Sequence, residues 1–280
     1  MDYEQILNNI ACTNNFLMNY ENMYSFYTLT TNKKKAISFL RERNFPTTKQ
    51  IDLNNKKLNP KNTIIVKPND KCCGDGIIVD KLENIRKMNI PEDYIKETYL
   101  VGTNYRIILY RGQIVSIIER HFPQVIGDGK HTIQDLIDIE NTSRTIKNKI
   151  VHQLKPYMLK RVPIKGKIVR VAKICNYCKG GRIVDYPINK VHPDNIRMFL
   201  DVGKATQFNI FAIDYITSDI TKSYKSKNVK SGINELENNG HAVHYSINDK
   251  FSKLSSVLLI RFLILLTFMT IFILTLLKHL

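Results

Sequence analysis

The sequence predicts an α+β domain followed by one C-terminal transmembrane helix. Three observations carry that reading. Short apolar runs of strand length are mixed with helix starts, without the strict βαβ alternation of a parallel sheet. The 280 residues are 43% hydrophobic and 24% charged, enough apolar material for a sizeable core. Residues 257–277 form an apolar run broken by a single charge, Arg261. No heptad seam, periodic glycine or repeat of about 20–50 residues appears, which removes fibrous and solenoid readings.

Residues 1–30 are rich in Asn and Tyr with weak periodicity and read as a loosely organised N-terminal extension. The globular domain is expected over residues 31–250. Residues 34–43 (KKAISFLRER) place Ile37 and Leu40 at helical spacing, and Phe45-Pro46 stops the helix. Residues 62–66 and 77–79 are apolar runs on either side of KPNDKCCGDG, a strand-turn-strand pattern. Residues 105–110 and 113–118 flank Arg111-Gly112 as a hairpin. Thr132-Ile133-Gln134-Asp135 matches a capping box opening a helix through Ile139. His192-Pro193 opens another helix, with Ile196, Phe199 and Leu200 on one side. Residues 210–216 (IFAIDYI) form a strand carrying Asp214 on one face, and the Lys/Ser-rich stretch 221–231 is a loop.

The apolar run VLLIRFLILLTFMTIFILTLL has 21 residues. A helix of that length rises about 30 Å, the hydrocarbon thickness of a bilayer. Arg261 lies one turn inside the N-terminal end, within snorkelling reach of the headgroups. Lys250, Lys253 and Arg261 outnumber Lys278, so the positive-inside rule leaves the domain in the cytosol and makes residues 255–277 a single-pass tail anchor.

Forty-two Lys and Arg against 25 Asp and Glu give a formal charge of +17. The surplus is spread along the chain, with short clusters at 33–35 and 222–230. It predicts anionic partners: nucleotide phosphates, an acidic polymer or an anionic membrane surface. No homeodomain, zinc-finger or RNP pattern points to nucleic acid. Five cysteines, unevenly placed behind an N-terminus without a signal-peptide pattern, do not make a secreted disulfide framework. Cys175-x-x-Cys178 lacks the further pair that zinc needs, because Cys72-Cys73 are adjacent.

Two groups of residues bear on chemistry. On an extended segment Glu235 and Glu237 project from one face, about 6.6 Å apart along the strand. With Asp214 from a neighbouring strand they would form an oxygen-only site suited to Mg²⁺. Spacing alone fits a solvated acidic face better. The loop from Lys67 through Gly74 and Gly76 offers backbone N–H groups and a lysine to phosphate oxygens. By itself it reads as an ordinary hairpin turn.

Four stretches in order, IIVKPNDKCCGDGI, ETYLVGTNYRIILYRGQIVSIIERHFPQVIGDGKHTIQDLI, GGRIVDYPINKVHPDN and FAIDYITSDI with INELENNGHAVH, resemble the ATP-grasp superfamily. The resemblance is strongest to the ATP-grasp module of cyanophycin synthetase and to glutathione-synthetase-like ligases. It implies two α+β subdomains gripping ATP, and a reaction in which a carboxylate takes the γ-phosphoryl group and an amine displaces it to form an amide. By position, Lys33 and Lys67 would hold phosphates under a loop carrying Gly74 and Gly76. Glu97 and the backbone through Leu100 would meet adenine, and Asn104 stands where the family usually has the ribose-binding acid. Arg106 would face the γ-phosphate or acyl phosphate, with Lys173 and Asn176 in the catalytic set. Asp214, Glu235 and Glu237 would bind Mg²⁺ or Mn²⁺, Glu237 at the position usually taken by Asn. Ala172 replaces one of the basic pair expected before Asn176. The same apparatus would serve a kinase of a small acceptor, or a nucleotide-binding scaffold without turnover.

Overall fold

The computed structural model describes residues 20–71 and 74–237. The expected membrane span at 255–277 lies outside them, and among the described residues no helix is long and apolar enough to cross a membrane. Two helices open the described chain, α1 (Tyr20–Thr31) and α2 (Lys33–Glu42). Next come β1 (Thr63–Lys67), β2 (Ile78–Lys81), the single-turn α3 (Leu82–Ile85) and β3 (Ile95–Thr98). These three strands form an antiparallel sheet in the order β2-β1-β3.

The larger sheet is built from β4 (Thr103–Tyr110), β5 (Gln113–His121), β8 (Arg182–Asp185), β9 (Ile210–Thr217) and β10 (Ser231–Glu237). It is antiparallel throughout, in the order β10-β9-β4-β5-β8. A small lobe is inserted between β5 and β8. It contains β6 (Gln124–Ile126) paired with β7 (Ile168–Arg170), and the helices α4 (Ile133–Thr142) and α5 (Pro156–Leu159). Helix α6 (Pro193–Thr206) connects β8 to β9.

Local chemistry accounts for these boundaries. The Thr132 side chain accepts from the Asp135 N–H while the Asp135 carboxylate accepts from the Thr132 N–H, so the predicted capping box opens α4. The His192 ring accepts from the Asp194 N–H and Pro193 occupies the first turn of α6. Arg111 and Gly112 both have positive φ, 47° and 72°, as a two-residue turn between twisted strands requires.

One expectation is corrected. Part of the N-terminal stretch is helix α1 rather than loose extension. Phe26 and Leu29, one turn apart, are buried in the main core, and Phe26 meets the edge of Phe208 at 4.9 Å. Their polar neighbours hide that narrow apolar stripe from a periodicity count. In the same core Ile107, Phe211, Ile213 and Tyr215 of the large sheet pack against Met198, Phe199 and Val202 of α6. The smaller sheet has its own core of Ile64, Val66, Leu82 and Ile85. Between the two sheets lies an open cleft, floored by the other face of the large sheet.

Candidate active site

Cross-strand register assembles the floor of the cleft. Arg106 on β4 stands opposite Asp214 on β9, and Asp214 stands opposite Glu235 on β10. Directly paired residues share a face, and Glu237 joins them two residues further on. A β-bulge at Asn234 makes this possible, because Ile233 still pairs with Tyr215 in the core while Glu235 pairs with Asp214 in the cleft. Without the extra residue, strict alternation would put Ile233 and Glu235 on the same face.

The side chains interlock. Arg106 donates to both Asp214 oxygens, from Nε at 2.8 Å and Nη2 at 2.9 Å, and Arg120 Nη1 donates to Oδ2 at 2.8 Å. Arg106 Nη2 also lies 3.5 Å from Glu237 Oε1. Lys33, the first residue of α2, reaches Glu235 Oε1 at 2.7 Å and donates to the Lys71 carbonyl at 2.7 Å. Lys67, at the end of β1, pairs with Glu97 Oε2 at 3.0 Å and donates to Asn234 Oδ1 at 2.8 Å. Lys67 and Glu97 are 2% and 0% exposed, so Lys67 borders the cleft with its ammonium nearly closed off from solvent and Glu97 lies behind it.

Electrostatics follow from that packing. Burial disfavours the Asp214 carboxylate, but Arg106 and Arg120 outweigh it and hold the carboxyl below its usual range. Burial also opposes the Arg106 cation, yet the carboxylates, Asp214 foremost, hold its pKa above the ordinary value. Burial, reinforced by Glu235, pushes Glu237 up to about 7. Oxygens of Asp214, Glu235 and Glu237 all lie within 4.8 Å of one another. An all-oxygen set with crowded negative charge fits a hard divalent cation such as Mg²⁺.

Of the residues expected at the site, Lys33, Lys67, Gly74, Leu100, Asn104, Arg106, Lys173, Asn176, Asp214, Glu235 and Glu237 line this one cleft. Gly74 (φ 75°) sits against the loop opposite, where a Cβ would stand 3.1 Å from Ile174 Cγ2. Gly76 departs from expectation: its backbone packs on Pro68 and Tyr94, and it forms the turn rather than the cleft wall. Glu97 also departs, its carboxylate turned away to Lys67 while residues 98–100 line the cleft. Lys173 Nζ donates to the Val79 carbonyl at 3.0 Å. Asn176 Oδ1 accepts from the Cys178 N–H at 3.0 Å, capping a 3₁₀ turn.

Sequence reading missed Arg120 and Asn234. Counted from the Arg111-Gly112 turn, an ideal hairpin pairs Asn104 with Glu119. A register shift between Ile108 and Leu109 makes the partner Arg120 and turns that guanidinium to Asp214.

The fold of two α+β units around a charged cleft is that of ATP-grasp proteins. The solved structure of a bifunctional glutathione synthetase from Pasteurella multocida superposes with a TM-score of 0.51 at 19% identity, over 79% of this chain and 33% of that one. Cyanophycin synthetase from Crocosphaera subtropica is 31% identical over 183 residues, 57% of this chain and 21% of that protein. The glutathione biosynthesis bifunctional protein GshAB of Clostridium perfringens is 28% identical over 249 residues, 76% of this chain and 31% of that protein. No family model matches the chain. The chain thus spans less than a third of the length of these two curated relatives. Fold and sequence similarity together support its membership of the ATP-grasp superfamily.

Proposed function

We propose that this chain is an Mg²⁺- and ATP-dependent carboxylate–amine ligase that works through an acyl phosphate. The observation that carries this reading is the convergence of Lys33, Lys67, Arg106 and Arg120 with Asp214, Glu235 and Glu237 in one cleft. Relatives named cyanophycin synthetase and glutathione biosynthesis protein support it.

In this reading a substrate carboxylate oxygen attacks the γ-phosphorus of ATP and ADP leaves. An amine nitrogen then attacks the acyl carbon, loses a proton and expels phosphate. Lys33 and Lys67 hold the phosphates, and the backbone of 98–100 meets adenine, with Asn104 near the ribose. Arg106 and Arg120 face the transferred phosphoryl group, where fixed cations are worth most because the charge is already desolvated. Asp214, Glu235 and Glu237 would hold Mg²⁺, which supplies charge neutralisation between phosphate oxygens. Lys33, which pairs with Glu235 here, would then serve phosphate while the Glu235 carboxylate would be among the groups holding the cation.

The test is to incubate the full chain with Mg·ATP and pools of amino acids or peptides, scoring ADP, phosphate and new amide masses. An amide product together with phosphate supports the ligase. A phosphorylated acceptor without amide would make it a kinase, and bound nucleotide without turnover would make it a scaffold.

The apolar run at 257–277 supports a second element of the proposal, a single-pass anchor holding the domain on the cytosolic face of a membrane. Alkaline carbonate extraction checks it: the full chain should stay with the membrane pellet, and release into the supernatant would remove the anchor.

A further inference from the structure

We infer that the small lobe between β5 and β8 docks on an anionic phospholipid surface. Within the surplus spread along the chain one stretch is free of acids: residues 141–184 contain twelve Lys or Arg and no Asp or Glu. Much of that stretch belongs to the lobe, and at its tip the basic residues alternate with exposed aliphatic ones.

Strand pairing shows how the tip is built. On β6 and β7, Val125 faces Val169 toward the lobe's core of Ile133 and Ile137. Ile126 faces Ile168 on the outer side, where they are 54% and 61% exposed. The turn leading into β7 carries Ile164, 73% exposed, with exposed Lys165 and Lys167. It is tied to the end of β6 by the Gly166 N–H donating to the Gly127 carbonyl at 2.8 Å and the Gly127 N–H donating to the Lys167 carbonyl at 2.8 Å. Three isoleucines and two lysines therefore share one tip. Asp128, two residues after Ile126 in the chain, is occupied by hydrogen bonds from His131 and from the Lys130 and His131 N–H groups.

The mixture of side chains selects the partner. Single-stranded nucleic acid rewards cations with aromatic stacking and has no use for exposed aliphatic residues. A bilayer interface takes both: lysines meet anionic headgroups while isoleucines enter the acyl boundary. The apolar run at 257–277 would keep such a surface within reach, though docking by the lobe does not require that run to span. The inference is also independent of the nucleotide reading, because the tip lies outside the cleft lining.

Hydrogen exchange over residues 160–170 tests it, using the full chain with nanodiscs of phosphatidylcholine alone or mixed with phosphatidylserine. Severalfold slower exchange with the anionic discs, abolished in Lys165→Glu/Lys167→Glu and weakened in Ile164→Asp, is the expected result. These side chains are exposed, so the variants keep the fold, and unchanged circular dichroism and an unchanged urea midpoint check that. Equal exchange with both discs overturns the inference. Protection by RNA but not by anionic discs also overturns it, in favour of a nucleic-acid surface.

Discussion

Lys67 is not a free cation waiting for phosphate. Its ammonium is buried against Glu97 and Asn234, so truncating it strands a buried carboxylate. Lys67→Met should cost about 3–5 kcal/mol, the penalty for breaking a buried pair, and Lys67→Met/Glu97→Gln should recover most of it. Both variants should lose ATP affinity, so urea unfolding combined with ATP titration separates support of the fold from binding. A single variant as stable as the native chain would show that Glu97 does not depend on Lys67. Asp214 gives a pH-dependent counterpart. Its carboxyl is held low by Arg106 and Arg120, so its contribution is present above the ordinary carboxylate pKa and lost as pH falls through the lowered one. The native chain should exceed Asp214→Asn by on the order of 2 kcal/mol more at pH 7 than near pH 2. Urea unfolding at the two pH values measures this, and a gap that does not change would contradict the pairing.

At the scale of elements, two bulges decide what enters the cleft. Neither was legible in the sequence, because alternation and hairpin counting both assume an unbroken pleat. The strands themselves were legible: residues 105–110 and 210–216 are apolar enough to be recognised from composition and turns alone. So were the carboxylates of Glu235 and Glu237, whose i, i+2 spacing survives in β10. What spacing could not supply was the partner across the strand, which is why Arg120 and Asn234 escaped. Deleting Asn234 should restore strict alternation in β10 and force either Ile233 out of the core or Glu235 out of the cleft. Mg²⁺ titration and thermal melting should then show lost metal response or a lowered Tm; a deletion that changes neither would remove the bulge from the design. Helix α1 was also illegible, since two apolar residues carry its packing. Phe26→Ala should destabilise the domain by about 3 kcal/mol, the usual cost of emptying a buried aromatic site. An unchanged urea midpoint would return residues 20–31 to the status of an extension.

On the scale of the molecule, the cleft belongs to neither sheet alone. Lys67 comes from the small sheet, Lys33 from a helix packed on the main core, and Arg106 with the acids from the large sheet. Such a site forms only when the two sheets meet, which ties ligand binding to the stability of the whole. Saturation with Mg·ATP at about 100 times its Kd should stabilise the fold by about 2.7 kcal/mol. The most direct measurement is calorimetric titration of the full chain in detergent with ATP, with and without Mg²⁺, beside Glu235→Gln. One nucleotide site that requires the divalent cation and weakens about tenfold or more in the variant is the expected result. No binding at millimolar ATP, or binding indifferent to both Mg²⁺ and Glu235, would contradict a triphosphate held between these cations and acids.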